Sequence, residues 1–328
     1  MANGGVYSMA AGWARWERGI SAAGNRDHGA NNTEQETISR FAPRHFSLFF
    51  TTLSGSVPPM RLWQFLSFLL GLTLATSTMA APKTLGIYVG NNQFPGLGNH
   101  DLQGCVNDAN QYANAFRLVL GDVEEHRLIN AALGTFTAEF QQAVARCRAG
   151  EIRRLILTIS SHGTTLPGSD GRSASQAIVF SDVNAAMTVG MLEDKTFRAL
   201  LDQIPSSVGV ELLLDTCFSG GATRDLAGRG FRPILRYVPH PGFRPSLHIV
   251  KPRAVRSVGT AHMAEWAASS EREPSAEDYL GGQTHGVFTY VWVRNFLLHR
   301  GQTRRVLLQA VQTEVTSTYN QHPQLLTE

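Results

Sequence analysis

Two short segments of this 328-residue chain carry residue types suited to nucleophilic chemistry: Ser160-Ser161-His162-Gly163 and Asp215-Thr216-Cys217-Phe218-Ser219-Gly220. A cysteine thiol beside an imidazole is an activated nucleophile, because the imidazole takes the thiol proton or pairs with the thiolate that results. Cys217 is therefore the candidate nucleophile and His162 its candidate base. The glycine after the histidine allows a sharp turn, and the N–H groups of Gly163 and Cys217 are candidates to face the oxyanion formed when a thiolate attacks a carbonyl. Losing one such donor costs about 3–4 kcal/mol of transition-state stabilisation, so their placement bears directly on rate. A lone cysteine at a strand end is more often a small buried hydrophobe. Packing alone does not explain the Asp-x-Cys-x-Ser-Gly setting together with a paired histidine.

Each motif follows an apolar run, residues 153–159 before the histidine and 208–214 before the cysteine. In an open α/β sheet functional groups collect beyond the carboxyl ends of the strands, so the motifs face each other if these two strands are neighbours. Other runs supply the remaining elements. Residues 84–90 and 125–129 read as strands, and 107–120, 137–148 and 194–203 as helices by the three- and four-residue recurrence of their apolar positions. Residues 176–182 read as part of an edge hairpin, 254–259 as a fifth strand, and 286–299 and 304–318 as amphipathic helices. Alternating strands and helices predict an α/β fold with a mostly parallel central sheet and helices on both faces. Residues 220–252 are rich in proline and arginine, with Asp225 the only acid, and read as a long basic loop.

The motifs together resemble the caspase-like cysteine peptidases (peptidase C14), and most closely their metacaspase and bacterial metacaspase-like branch. Gly90-Asn91-Asn92, Gly104-Cys105-Val106-Asn107-Asp108, Ser160-Ser161-His162-Gly163 and Leu213-Leu214-Asp215-Thr216-Cys217-Phe218-Ser219-Gly220 occur in the family's order, followed by His285-Gly286-Val287-Phe288 and Gln321-His322-Pro323. In caspases the histidine lies about 50 residues before the cysteine, and the interval here is similar. The resemblance implies a three-layer caspase-like fold and a cysteine endopeptidase with Cys217 as nucleophile and His162 handling protons. It also implies an acidic pocket for arginine or lysine, built from Cys105, Asp108, Ser160 and Asp215. Carboxylates suit a guanidinium guest, with which they form paired hydrogen bonds.

Two departures from the family pattern bear on that pocket. Where metacaspases place a cysteine and acids after the fifth strand, this chain has Thr260-Ala261-His262-Met263-Ala264-Glu265, which leaves the third wall open. Calcium-dependent members carry an acidic pair and a later acid. Glu193 and Asp194 match the pair, and Arg224 beside Asp225 stands at the later position, so calcium as an activator is left open, no cofactor is expected to be required, and no metal site is assigned. The arginines of the 220–252 loop are candidate sites of self-cleavage, since the corresponding region of related peptidases is a processing linker. A catalytically silent binding module and a thiol transpeptidase are the alternatives on the same fold. Cys147 reads as core, and Cys105 equally as core or pocket. Asp215 and Asp108 have plainer readings as a turn cap and as a helix-dipole partner.

Composition bounds the rest. With 29 basic and 26 acidic residues the net charge is +3, which gives no electrostatic basis for nucleic-acid binding. Three cysteines without a C-x-x-C pair exclude a disulfide framework and a zinc ribbon. Residues 60–80 have one arginine, an apolar stretch and then small residues, the layout of a secretory signal peptide; the stretch is too short for a permanent membrane span. Residues 1–59 are then a non-native extension or disordered, and 81–328 the peptidase domain, exported to the periplasm or the extracellular space. Its partners would be protein or peptide substrates bearing basic residues, and the oligomeric state is left open.

Overall fold

The computed structural model describes residues 83–167, 174–217, 233–242, 262–270 and 273–327. The signal-peptide and N-terminal expectations therefore lie outside the described residues. Among the described residues no helix is long and apolar enough to cross a membrane.

A six-stranded sheet forms the middle layer. Its strands are β1 (Lys83–Gly90), β2 (Val123–Ile129), β3 (Ile152–Ser160), β7 (Gly209–Asp215), β9 (Met263–Ala267) and β12 (Gln324–Thr327). They lie in the order β12-β9-β7-β3-β1-β2, all parallel except β12, which runs antiparallel to β9. The inner strands are buried on both faces, which is why they read as continuous apolar runs. Alternate side chains serve opposite layers. Leu85, Ile87 and Val89 of β1, Leu155, Leu157 and Ile159 of β3, and Val210, Leu212 and Leu214 of β7 share one core with helices α2 (Leu133–Arg148) and α3 (Asp194–Leu201). Tyr88, Ile156, Leu213 and Trp266 turn to the other face, against α1 (Cys105–Leu120), α4 (Val287–Leu298) and α5 (Arg304–Thr316). The result is the three-layer α/β arrangement that the sequence predicts.

The second core is aromatic. Trp292 of α4 lies between Tyr112, Phe116 and Phe296, with Trp266 edge-on at a centroid distance of 5.7 Å. Trp266 belongs to the strand that pairs with β7. The expected fifth strand at 254–259 lies outside the described residues, and the sheet position beside β7 is taken by Met263-Ala264-Glu265-Trp266-Ala267. Trp266 of this strand is buried between β7 and α4. Glu265 consequently lies in a strand, facing Arg198 of α3 at 3.5 Å, and lines a pocket with Asp194, Phe197 and Arg198 rather than the Asp108–Asp215 cluster.

Two small antiparallel sheets flank the carboxyl edge. One contains β4 (Gly163–Pro167), β5 (Ala174–Val179) and β6 (Met191–Glu193), which places the expected edge hairpin slightly earlier than 176–182. The other contains β8 (Ile234–Leu235), β10 (Ala276–Leu280) and β11 (Gln283–Gly286). The β10–β11 hairpin turns on Gly281 and Gly282, whose φ values of 61° and 96° are open to glycine at little cost.

Candidate functional site

Strands β3 and β7 are hydrogen-bonded neighbours, with Ser160 opposite Asp215 as the last pair. His162 and Cys217 each lie two residues beyond that pair, at the carboxyl edge of adjacent strands. Both are buried. The His162 ring is held by its Nε2, 2.6 Å from the His100 carbonyl oxygen, and by Phe94, whose ring centroid is 4.8 Å away. Burial lowers the His162 pKa to about 4, and the backbone carbonyls of His100 and Arg236 offset part of that effect. The Cys217 thiol donates to the Glu273 carbonyl at 3.8 Å.

The depressed basicity of His162 has a measurable consequence. An unfolded histidine binds its proton near pH 6.5, whereas the folded one binds it only near pH 4, so the stabilisation is complete above about pH 6.5 and is lost as pH falls toward 4. The loss amounts to about 3 kcal/mol. Denaturant unfolding at pH 7 and pH 4 should show a drop smaller by that amount in His162→Gln than in the wild type. Equal drops would contradict the buried, neutral imidazole.

Gly163 differs from expectation in two ways. It opens strand β4 and is not among the positive-φ glycines, so no left-handed turn is made there. Its N–H donates to the Arg236 carbonyl at 2.8 Å, and its own carbonyl accepts from the Val238 N–H at 3.0 Å. The candidate oxyanion donor is thus already engaged by the chain's own backbone.

Beside these groups lies a closed cluster of charges. Asp108, in the first turn of α1, accepts at Oδ2 from Arg236 Nη2 at 2.6 Å, and its Oδ1 lies 3.0 Å from the Gly286 nitrogen and 3.1 Å from His285 Nδ1. Asp215, at the end of β7, lies 3.1 Å from Arg236 Nη1 and also accepts from the Ser275 and Thr289 hydroxyls at 2.7 and 2.6 Å. Burial raises the Asp215 pKa, with the Arg236 guanidinium acting against the rise. Ser160 contributes a buried hydroxyl without a hydrogen-bond partner among the described residues. Burial likewise raises the Cys105 thiol, which lies within electrostatic range of Arg236, Glu277, Asp108 and Asp215. The structure therefore brings Cys105, Asp108 and Asp215 to one place, with Ser160 paired to Asp215. Gly286 is required there for steric reasons: a Cβ would fall on Asp215 Oδ2 and on the Arg236 guanidinium.

Sequence reasoning left the third wall undecided; in the structure Glu277 of β10 joins Asp108 and Asp215 around Arg236. Its Oε2 lies 3.5 Å from Arg236 Nη2, while its two oxygens accept from the Gln103 and Gly104 N–H groups at 2.8 and 3.0 Å, which pins the start of α1. The Gly-Gly turn after an alternating run was the available signal for that hairpin. Arg236 was also missed. It is fully buried, although the loop that carries it reads as solvated. Cys147 is in the core below α2, as its place on an amphipathic helix suggests. Of the acidic pair, Glu193 pairs with Lys195 at 3.1 Å and accepts from Ser175, and Asp225 lies outside the described residues.

A profile of the caspase domain (Peptidase C14) matches residues 84–328, three quarters of the chain. The chain belongs to the caspase-domain family. Its caspase domain is similar to Metacaspase-1 of Coccidioides immitis, with 22% identity over 287 residues covering 74% of this chain and 61% of that protein. It is also similar to Metacaspase-9 of Arabidopsis thaliana, with 27% identity over 151 residues covering 42% and 44% of the two. The chain thus spans less than two thirds of the length of these curated relatives. Among solved structures, a Geobacter sulfurreducens protein superposes with a TM-score of 0.53 at 18% identity, covering 74% of this chain and 92% of that one. Caspase-1 of Spodoptera frugiperda gives 0.50 at 10% identity, covering 75% and 86%. At these identities the likeness speaks for the fold alone, and it agrees with the three layers of this caspase domain.

Proposed function

We propose that the caspase domain is a cysteine-type endopeptidase that cleaves after arginine or lysine. The observation that carries the specificity is the Arg236 guanidinium, enclosed by Asp108, Asp215 and Glu277 next to the His162 and Cys217 edge. Buried carboxylates without a cation are costly, because taking one partner from a buried ion pair leaves an uncompensated charge worth about 3–5 kcal/mol. The pocket therefore selects for a long cationic side chain and against an acidic one.

On this reading Cys217 attacks the scissile carbonyl, and His162 takes the thiol proton and delivers it to the leaving amine. Gly163 and Cys217 N–H groups hold the oxyanion. Family membership supports the peptidase chemistry, and the arrangement of the two motifs at adjacent strand ends supports the residue roles. Export through residues 60–80 is part of the same proposal, and an exported catalytic thiol is open to oxidation.

The test uses the full chain in reductant, with and without calcium, against fluorogenic peptides ending in Arg, Lys, Asp or Leu. Turnover of the Arg and Lys peptides is expected, with Asp and Leu at background. Cleavage after Asp or Leu at the same rate would overturn the specificity. No turnover by folded, reduced protein would favour a silent module, and ligated rather than hydrolysed product a transpeptidase.

A further inference from the structure

The segment after β1, residues 91–102, supplies two contacts to the His162 imidazole: the Phe94 ring, and the His100 carbonyl at Nε2. A carbonyl oxygen only accepts, so Nε2 carries the ring proton of the neutral imidazole and Nδ1 keeps a lone pair. That Nδ1 is buried and has no hydrogen-bond partner among the described residues. The Arg236 carbonyl acts on the ring without forming a hydrogen bond to Nδ1. Phe94 is itself fully buried, in a small core that includes Leu102, Val179 and Val183, and its packing keeps water from the imidazole.

What fixes this segment is a strained residue on another strand. Asn130, directly after β2, has a φ of 48°, in the left-handed region that residues with a side chain rarely adopt. Its N–H donates to the Gly90 carbonyl at 3.0 Å, and its carbonyl accepts from the Ser181 hydroxyl at 2.7 Å. Its side-chain Oδ1 accepts from the Asn92 and Gln93 N–H groups at 2.8 and 3.1 Å, immediately before Phe94. A second link runs beside the first: Asn91 Oδ1 accepts from the Ala131 N–H at 2.9 Å, and Asn91 Nδ2 lies 3.4 Å from the hydroxyl of Ser161, the neighbour of His162. The Phe94 N–H then donates to Asp101 Oδ1 at 2.8 Å, which closes the segment beside His100. Strain of this kind persists only where neighbours over-determine it, and it gathers at functional sites. The backbone at 130 asks only for tolerance of positive φ, which glycine meets best. The two N–H groups ask in addition for an acceptor, which asparagine or aspartate can offer in that conformation.

We propose that Asn130 is a positioning residue for His162: by holding the Asn92 and Gln93 N–H groups it sets the 91–102 segment so that Phe94 and the His100 carbonyl orient the imidazole with Nδ1 as its basic nitrogen. The effect on rate rests on the peptidase reading above; the effect on the ring does not. Without the acceptor at 130, residues 92–94 gain freedom, Phe94 withdraws, and water reaches the imidazole. Displacing a reacting group by about 1 Å costs about a hundredfold in rate, while the carboxylate pocket, built from other contacts, still binds substrate. Turnover therefore falls with little change in KM. Hydration also raises the His162 pKa from about 4 toward its ordinary value, because burial is the largest cause of the depression. The charged side chains acting on the ring are His100 and Arg236, which both oppose its protonation and stay in place in the variants below.

The test compares the full chain, in reductant, as wild type, Asn130→Gly and Asn130→Asp. Glycine keeps the left-handed backbone and deletes the acceptor, whereas aspartate keeps both, so the pair separates positioning from backbone strain. Steady-state kinetics on a fluorogenic arginine peptide gives kcat and KM, and NMR of isotope-labelled histidine gives the tautomer and titration of His162, assigned by the signal missing in His162→Gln. Wild type and Asn130→Asp should show an Nε2-protonated ring that titrates near pH 4. Asn130→Gly should titrate about one pH unit higher or more, show both tautomers, and lose about a hundredfold in kcat at similar KM. A wild-type kcat and titration in Asn130→Gly, or a loss as large in Asn130→Asp, would overturn the inference and leave the peptidase reading standing. A wild type that hydrolyses no peptide would overturn the peptidase reading, and the NMR titration would still decide the positioning: a shift in Asn130→Gly alone supports it, and equal titrations in all three proteins overturn it.

Discussion

Cys217→Ala is expected to abolish peptide hydrolysis, lowering kcat by about four orders of magnitude or more, as loss of a covalent nucleophile does elsewhere. Neither remaining thiol can take its place. Cys105 is sealed into the wall of the carboxylate pocket, where burial raises its pKa and the neighbouring Glu277, Asp108 and Asp215 add to the rise. Cys147 is in the core with α2, on the far side of its own helix from solvent, and burial lifts its thiol to about 11. A protonated thiol is a poor nucleophile. Deleting one buried sulfur removes little packing, so thermal unfolding should shift by only about 1 kcal/mol. Matched kinetics and melting curves for Cys217→Ala and Cys147→Ala separate the two effects: only the first should lose turnover. Retained turnover in Cys217→Ala would remove the nucleophile from the account.

The second large effect concerns the pocket. Asp215→Asn keeps the shape and one acceptor oxygen but deletes a buried charge that faces the guanidinium. Truncating one partner of such a pair costs about 3–5 kcal/mol, which corresponds to about a hundredfold to several-thousandfold in kcat/KM for an arginine peptide. Asp108→Asn should act in the same direction. It should also loosen the fold, since Asp108 holds the Gly286 N–H and His285 as well as the cation. A peptide with a neutral residue before the cut should lose much less in either variant. Steady-state kinetics with the two peptides reads the contrast, and parallel losses on both would mean that the carboxylates serve only structure.

Much of this was legible in the chain. The inner strands β1, β3 and β7 announce themselves as apolar runs because both faces are covered, and each hands the chain to a polar motif at its carboxyl end. Once β3 and β7 pair, the placement of His162 and Cys217 follows from counting two residues past the last pair. Other features were decided by contacts far apart in sequence. Glu277 is one acid on a short hairpin, and its importance arises only when Gln103 and Gly104 come to it. Arg236 looks like the other arginines of a basic loop until the two-residue strand β8 feeds it between Asp108 and Asp215. The strand at Met263–Ala267 was missed because what places it is burial of Trp266 against elements distant in sequence, not a local apolar run.

The central claim is that Asp108, Asp215 and Glu277 make the domain a peptidase for cationic residues. It is tested most directly by comparing kcat/KM for two peptides that differ only in arginine against citrulline before the cut, a neutral side chain of nearly the same shape. With the reduced protein, the arginine peptide should be preferred by about a hundredfold or more, since only the charge distinguishes the two guests. Equal rates would show that the pocket does not read charge, and the assignment of these carboxylates to substrate recognition would be wrong.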